Sequence, residues 1–341
     1  MVGVSPTGSI GQASAVGGDL PDGWIRAELA ALSACGPVRE QNEDRLGWAV
    51  LGDAASIVSP GTDEGPVAAE IAAPGLVVVV ADGLGGHSHG ELASRTAVGM
   101  VLRRLVAPDA GGKAGQVLRS GFEEANEACL VGRLVDPVAF DRSPGTANPI
   151  DDPAAGTAGV AELDERGRDP GLRASTRGGQ TTLTAVALTG RTGNVAHVGD
   201  SRIYRLRDGM IELLTNDHTQ VRELIRMRVI KPEQALTHPG RHLLTRSIGG
   251  DLIVRIEERA SAPAVGDVYL LCTDGLWSTI TSWEAQTAMS GNLSNGVATL
   301  VRRSAEVGGD DNASVIALRV TDLGGRPDLS SPAGWRFPWR R

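Results

Sequence analysis

The feature that most constrains the fold is a short, unbroken apolar run from Leu76 to Ala81, which contains four consecutive valines. A run of this length that is rich in β-branched residues favours a strand, and the lack of any polar position favours a strand buried on both faces. Other parts of the chain must therefore cover each side of this strand.

The apolar pattern around this run predicts both helices and strands. Two amphipathic helices are predicted directly after it, over Gly90–Leu105 and Lys113–Leu134. The apolar period then changes to two, which predicts an antiparallel meander of short strands over Thr181–Leu214. The other predicted elements are strands at Arg26–Cys35, Asp44–Leu51, Val268–Thr273 and Asn312–Val320 and helices at Ser282–Ser290 and Ser294–Val307. Together they predict an α+β fold, an antiparallel β-sandwich flanked on both sides by pairs of α-helices.

Segments without apolar periodicity divide the chain. Residues 1–23 and 323–341 are predicted to be a flexible leader and a tail, with a single domain over 24–322 between them. The stretch 136–178, rich in Pro, Gly and Asp, is predicted to be a disordered surface insertion in that domain. A second interruption, 216–250, breaks the strand pattern with short helical pieces.

Charge and cysteine content argue against several protein classes. The formal net charge is −8 and the pI is about 5.3, whereas a nucleic-acid-binding protein needs a basic face. The three cysteines have no CxxC spacing, which favours neither a disulfide framework nor a zinc site and fits a reducing cytoplasm. Neither a signal peptide nor an apolar run long enough to span a bilayer is apparent, so we expect no membrane association.

Four aspartates stand where predicted strands begin or end. Asp44 opens one strand, Asp82 and Asp274 close two others, and Asp311 precedes the last. In an antiparallel sheet the end of one strand lies beside the start of its neighbour, so these side chains can meet at one edge. Carboxylates that close repel one another unless a cation neutralises them, and Mg²⁺ and Mn²⁺ prefer oxygen ligands. The pattern predicts a divalent-cation site, although an Asp–Gly pair on its own is more often a simple turn.

Six short motifs occur between about Leu29 and Val320. They are Arg39-Glu40-Gln41-Asn42-Glu43-Asp44; Ala81-Asp82-Gly83-Leu84-Gly85-Gly86-His87 with Gly90-Glu91; Gly179-Gln180-Thr181-Thr182; Val198-Gly199-Asp200-Ser201-Arg202; Thr273-Asp274-Gly275; and Asp311-Asn312-Ala313-Ser314. Each is weak alone, but their order and spacing resemble the metal-dependent protein phosphatase (PPM, type 2C) family in its bacterial serine/threonine phosphatase form. The resemblance covers nearly the whole chain outside the leader and the tail.

The resemblance implies phosphoserine or phosphothreonine proteins as substrates and two Mn²⁺ or Mg²⁺ ions as cofactors. It implies that Asp82 bridges both ions, that Gly83 lends its carbonyl oxygen, and that Asp274 and Asp311 hold one ion. A pair of such ions activates a water molecule for in-line attack on phosphorus.

Four further roles follow from the same resemblance. Glu43 and Asp44 would act through water bound to the ions, and Asn312 would support the phosphate environment. Arg39 would bind the substrate phosphate, a role that suits its guanidinium because the planar fork matches two phosphate oxygens.

The chain departs from the family at two positions. Many eukaryotic members have a histidine directly after the Asp–Gly pair, where this chain has Leu84, so the general acid is unassigned and solvent is the alternative. A third, weaker metal site would use Asp200, but Ser278 stands where the family has a second aspartate. The 216–250 segment resembles the family's variable flap, whose expected task is substrate selection.

Two other functions stay open. The sequence Gly86-His87-Ser88-His89-Gly90 matches the GxSxG pattern of serine hydrolases, although Ser88 comes six residues after Asp82, behind an extra glycine turn. The other alternative is a phosphatase-like binding module that has lost its metal, which the presence of all principal ligands disfavours. Expected partners are phosphoproteins and a bacterial Ser/Thr kinase, with type VI secretion clusters as one setting, and we expect a cytoplasmic monomer.

Overall fold

Two antiparallel sheets stack face to face at the centre of the molecule. The computed structural model describes residues 20–51, 55–58, 65–85, 88–106, 114–134, 178–235 and 238–325. The strands in these ranges are β1 (Ile25–Ala34), β2 (Asp44–Val50), β3 (Ala55–Val58), β4 (Val67–Ala73), β5 (Leu76–Leu84), β6 (Gln180–Thr181), β7 (Leu183–Thr189), β8 (Thr192–Val198), β9 (Arg202–Arg207), β10 (Met210–Leu213), β11 (Glu257–Ala260), β12 (Val268–Cys272) and β13 (Ala313–Leu323). The helices are α1 (Ser88–Val106), α2 (Ala114–Leu130), α3 (Gln220–Arg226), α4 (Pro232–Ala235), α5 (Asp274–Trp277), α6 (Ser282–Met289) and α7 (Leu293–Glu306).

Each sheet is antiparallel throughout its described strands. The first sheet has the strand order β10-β9-β12-β13-β1-β4. The second has the order β11-β8-β7-β5-β2-β3, and β6 extends it by pairing with the last residues of β5. This order places β5 in the interior of its sheet, where both of its edges are paired.

The four valines of β5 confirm the predicted burial on both faces. Val78 and Val80 belong to the apolar cluster between the two sheets. Val77 and Val79 belong to a second cluster, beneath α1 and α2, and all four side chains are fully buried. Burial of each such side chain stabilises the fold by roughly 1.5–3 kcal/mol. A third cluster packs α6 and α7 on the outer face of the first sheet, which confirms a sandwich with a helix pair on each side.

The predicted meander over Thr181–Leu214 is wrong in its connectivity. Strands β7 and β8 pair in one sheet, whereas β9 and β10 pair in the other, so the chain crosses between sheets at Gly199–Ser201. Gly199 has φ +114°, a conformation that favours glycine, and a side chain there would overlap Thr182. Apolar alternation is the same in either sheet, which is why the pattern alone suggested one continuous meander.

The sequence analysis did not predict strands β3, β4 and β11 or the true end of β5. Strand β4 is rich in alanine and β11 has the charged sequence EERA, compositions with low strand propensity that occur here at or next to sheet edges. Strand β5 does not end at Asp82 as predicted but continues to Leu84, because Gly83 and Leu84 pair with β6.

Several predicted segments lie largely outside the described residues. They are most of the 1–23 leader, the 136–178 insertion except its last residue, and most of the 323–341 tail. The domain boundaries therefore stay a prediction. None of the helices in the described part of the chain is long and apolar enough to cross a membrane.

Candidate active site

The register of the two sheets brings the predicted aspartates together in pairs. Asp44 and Asp82 are directly opposite each other across β2 and β5 of the second sheet. In the first sheet, Asp274 follows β12 and Asp311 precedes β13, and these two strands are neighbours. The sheets meet at this end, where the Thr273 hydroxyl donates a hydrogen bond of 2.9 Å to Asp44 Oδ2.

The carboxylates are close enough to change one another's pKa. Burial is the largest cause that raises the pKa of Asp82 well above its usual range, and the charges of Asp44, Asp274, Asp200 and Asp311 raise it further. Burial also raises the pKa of Asp44 well above its usual range, with added contributions from Asp274 and Asp311. Five aspartates from two sheets therefore form one electrostatic cluster.

The carboxyl group of Asp274 lies close to that of Asp82. Burial and the charge of Asp311 raise its pKa, while Asp82 lies within hydrogen-bonding reach of its side chain and lowers it. Two carboxyl groups can bond in this way only when one of them carries a proton. Protonation and binding of a cation are the two ways to relieve such a contact.

The donor set fits hard divalent cations. Asp44 Oδ1 is buried and accepts no hydrogen bond from the described residues. A buried anionic oxygen without a donor is costly unless a cation faces it. Within the described ranges no three carboxylate, imidazole or thiol side chains already form a metal cage, and Asp311 is paired with Arg39 instead. Clustered oxygen donors with raised pKa values suit Mg²⁺ or Mn²⁺, whose binding would draw these side chains together.

Close backbone packing sets the position of Gly83 and Glu43. The Gly83 N–H donates to the Glu43 carbonyl at 3.2 Å, and a Cβ at Gly83 would overlap the backbone of Gly90 at the start of α1. The hydroxyl of Ser94 donates to the same Glu43 carbonyl at 2.5 Å. Glycines at 83 and 90 thus let β5 and α1 approach the Glu43–Asp44 segment.

Arg39 and Asn312 lie on the loops that close this end. Arg39 Nη2 donates to Asp311 Oδ2 at 2.7 Å, and the Arg39 side chain is 45% exposed, which leaves it open to a ligand. Burial lowers the pKa of Arg39, but Asp311, Glu43 and Asp82 raise it by more. Asn312 Oδ1 accepts the Glu43 N–H at 2.9 Å, so it holds the loop that carries Arg39 and Glu43.

Asp200 lies at the crossing between the sheets. Burial, followed by the charges of Asp274 and Asp217, raises the pKa of Asp200 to about 8. Ser278, which replaces the second aspartate of the family's third metal site, directly follows α5 as its C-cap and is exposed. The structure thus brings Asp200 to the cluster but offers no carboxylate at 278.

The sequence analysis missed the residues that hold the Asp82 backbone. The Asp82 N–H donates to the Thr182 hydroxyl at 2.9 Å, and the Asp82 carbonyl accepts from the Thr181 hydroxyl at 2.8 Å. The Thr182 N–H also donates to this carbonyl at 2.8 Å. The Gly179-Gln180-Thr181-Thr182 motif was the available signal, but only its contact with β5 reveals its task.

The serine hydrolase alternative does not match this architecture. Ser88 is the first residue of α1, and the preceding strand β5 pairs antiparallel with both β2 and β7. The nucleophile elbow belongs to the sheet of α/β-hydrolases, in which the strand leads directly into the turn and helix.

Leu84, which stands where many eukaryotic members of the family have a histidine, is the last residue of β5.

Comparisons with known proteins show what this chain is similar to. A family model described as protein phosphatase 2C matches residues 67–302, more than half of the chain. The serine/threonine protein phosphatase PstP of Mycobacterium tuberculosis is 30% identical over 247 residues, which cover 72% of this chain and 40% of that protein. The serine/threonine phosphatase Stp of Listeria monocytogenes is 27% identical over 247 residues, covering 71% of this chain and 83% of that protein. The crystal structure of the catalytic domain of PstP with two manganese ions aligns with a TM-score of 0.60 at 25% identity, over 87% of this chain and 100% of that one.

The match spans less than half the length of the mycobacterial relative.

Proposed function

This chain belongs to the protein phosphatase 2C family, and from that premise we propose that it is a metal-dependent protein serine/threonine phosphatase. The observation that carries the proposal is the cluster of aspartates, two from each sheet, at one end of the sandwich. The buried Asp44 oxygen and the Asp82–Asp274 contact both favour a bound cation at this place.

Two divalent cations, Mn²⁺ or Mg²⁺, are the proposed cofactors. Asp82 would contact both ions, Gly83 would contribute its carbonyl oxygen, and Asp274 and Asp311 would hold one ion from the first sheet. Glu43 and Asp44 would bind through water, and Asp200 is the one carboxylate present for a weaker third ion. When bound, such a pair of ions makes hydroxide available near neutral pH for attack on phosphorus.

Arg39 is the proposed phosphate-binding residue. Its guanidinium is held at the mouth of the cluster by Asp311 and is still partly exposed, so its remaining N–H groups can reach phosphate oxygens. Asn312 keeps the Arg39–Glu43 loop in place through the Glu43 N–H. These residues would orient the phosphate against the aspartates for in-line displacement.

The leaving hydroxyl group would take its proton from water. Leu84 has no proton to donate, and we assign no other side chain as the general acid. Turnover should therefore lack the fall at alkaline pH that deprotonation of a histidine general acid would produce.

Phosphoserine and phosphothreonine proteins are the proposed substrates, with a bacterial Ser/Thr kinase as the opposing enzyme. The 216–250 segment is suited to select among these substrates because it lies close to the site. The charge of His242, which belongs to this segment, lowers the pKa of Asp274. The thiols of Cys129 and Cys272 are buried, with pKa values raised to about 12, and fit a reducing cytoplasm. We also propose that the protein is a monomer and that it acts in a type VI secretion setting.

Hydrolysis assays on the purified chain test this function. We expect release of phosphate from a phosphothreonine peptide and from p-nitrophenyl phosphate in Mn²⁺, and none after EDTA. Fluorophosphonate labelling of Ser88 together with chelator-resistant hydrolysis would instead support the serine hydrolase. Absence of any Mn²⁺ binding by calorimetry would support the metal-free binding module.

A further inference from the structure

Arg202, the first residue of β9, contacts three different side chains with its guanidinium group. Its Nε and Nη2 donate to the two oxygens of Asp217 at 2.9 and 2.7 Å, a bidentate pair. Its guanidinium carbon lies 3.5 Å from the centre of the Trp277 ring, and Nη1 donates to the Tyr204 hydroxyl at 3.0 Å. Both members of the ion pair are largely buried. Arg202 is therefore fixed on three sides.

The contacts of Arg202 join three segments that carry the aspartate cluster. Arg202 follows the Gly199–Ser201 crossing that carries Asp200. Trp277 ends α5, whose first residue is Asp274, and its indole N–H donates to the Asp200 carbonyl at 2.9 Å. Arg202 and Trp277 thus connect the Asp200 backbone with the short helix that carries Asp274.

The third segment is the start of the 216–250 region. Next to Asp217, His218 brackets Gly199: its backbone N–H donates to the Gly199 carbonyl at 2.7 Å, and its Nδ1 accepts the Gly199 N–H at 3.1 Å. Asp217 and His218 together tie this region to the crossing from both sides.

The aspartate cluster needs such restraint because its carboxylates repel one another. The Trp277 contact keeps the Asp200 backbone next to the short helix that begins at Asp274, and carboxylates placed this near to one another repel as anions. Helix α5 has four residues and is too short to resist this repulsion alone. A planar cation stacked on Trp277 and held by Asp217 supplies the missing restraint.

We propose that Arg202 is a positioning residue that holds Asp274 and Asp200 in the arrangement that binds the divalent cations. This inference rests on the proposed function and extends it to a residue that touches neither the ions nor the substrate.

The same strand carries a matched control. Arg207, the last residue of β9, makes a bidentate pair with Asp267 at 2.6 and 2.5 Å, at the opposite end of the sandwich. Replacement of either arginine by lysine keeps the charge and removes the planar fork. Only the Arg202 variant should affect the cluster, whereas both should lose some stability.

Calorimetric Mn²⁺ titration of wild type, Arg202→Lys and Arg207→Lys, with thermal unfolding of each, tests the proposal. We expect Arg202→Lys to weaken Mn²⁺ binding about tenfold, the lower end of the effect of residues that orient metal ligands. Its KM for a phosphothreonine peptide at saturating Mn²⁺ should be unchanged, and Arg207→Lys should bind Mn²⁺ like wild type. Asp217→Asn added to Arg202→Lys should cost little more, because the two residues act as one unit.

Each remaining outcome is decisive. Wild-type Mn²⁺ affinity in a folded Arg202→Lys protein, or an equal loss in Arg207→Lys, would overturn the inference while leaving the proposed function intact. If Arg202→Lys does not fold, Asp217→Asn replaces it: this variant removes the anionic partner that holds Arg202, and unchanged Mn²⁺ affinity in the folded protein would overturn the inference. A wild-type protein that binds no Mn²⁺ overturns the proposed function and this inference together.

Discussion

The two ends of the β-sandwich differ in how their acidic side chains are paired. At one end Asp82, Asp44 and Asp274 lie beside one another, and their pKa values are raised. At the other end Asp267 is buried in a bidentate pair with Arg207, and Asp322 lies 3.5 Å from Arg26. Strands β12 and β13 run the whole distance, so the same strands carry both arrangements.

This difference separates stabilising charges from functional ones. A carboxylate paired with arginine needs no further partner, and its removal costs stability. A group of carboxylates without cations lowers stability until protons or metal ions neutralise it. Acidic residues at the ends of strands therefore point to a metal site where the fold gathers several of them and most have no arginine partner, as with Asp44, Asp82 and Asp274.

Substitution of one aspartate at each end gives the largest expected contrast. Asp82→Asn removes the charge shared by both proposed ions and should lower the turnover number at least about 10²-fold, since the ions supply the nucleophile. Asp267→Asn should keep wild-type turnover and lose about 1–3 kcal/mol of unfolding free energy, because it leaves Arg207 without its anion. Steady-state kinetics of both variants measure the turnover number, and chemical denaturation measures the unfolding free energy. Near-wild-type turnover in folded Asp82→Asn would remove the contrast.

Arginines at the two ends offer the next contrast. Arg39→Ala should lower kcat/KM for a phosphothreonine peptide by about 10- to 100-fold, the range expected for lost hydrogen bonds to a charged group. Arg26→Ala, which removes an exposed ion pair at the far end, should leave kcat/KM unchanged. Equal kinetics in the two variants would exclude Arg39 from the site.

The metal-free protein should reveal the charge cluster through the pH dependence of its stability. The pKa of Asp200 is about 8 in the fold and about 4 in an unfolded chain. A group whose pKa is raised by folding stabilises the fold at low pH, and this contribution is lost as the pH rises through the folded value. In EDTA, the unfolding free energy should therefore fall by about 1–2 kcal/mol between pH 6.5 and 8.

A buried histidine sets the lower limit of this window. The pKa of His197 is lowered to about 4, mainly by burial, so it destabilises the fold only as the pH falls below about 6.5. Urea denaturation between pH 6.5 and 8 thus isolates the aspartates, and saturating Mn²⁺ should remove the slope. A flat profile in EDTA would contradict the cluster.

Deletion of the 136–177 segment should have the smallest effect. Gly178, which follows the deleted segment, packs against the end of α2, and a Cβ at Gly178 would overlap the Cys129 carbonyl. A short Gly–Ser linker can therefore connect the chain on the two sides of the deletion. The turnover number should change by less than about a factor of two, and the unfolding free energy by less than about 1 kcal/mol. The reason is that the free-energy cost of closing a loop depends only weakly on the length of the loop. Two linker lengths control for strain, and loss of activity in both folded variants would show that the segment belongs to the site.

The apolar interior could be predicted from the sequence because its signal is local. The valines of Leu76–Ala81 are buried on both sides as the unbroken run predicts, and the helix pairs follow from helical spacing. Strands β4 and β11 could not be predicted because their stability comes from pairing at or near an edge and not from their own composition.

The site could be predicted only in part, because its contacts join residues far apart in the chain. The aspartates stood out by their place at strand ends, yet the crossing from β8 to β9 leaves no trace in the apolar pattern. The Thr181 and Thr182 contacts with Asp82 depend on the pairing of β5 with β6 and β7, whereas the Arg202 contacts with Asp217 and Trp277 depend on that crossing. The motifs drew attention to these residues without saying what they touch.

Anomalous diffraction at the manganese edge from crystals grown in Mn²⁺ tests the central claim most directly. We predict two neighbouring manganese peaks at the end of the sandwich, both in contact with the Asp82 carboxylate and one also with Asp274 and Asp311. A map with no peak at this end, or with manganese bound only elsewhere, would contradict the account.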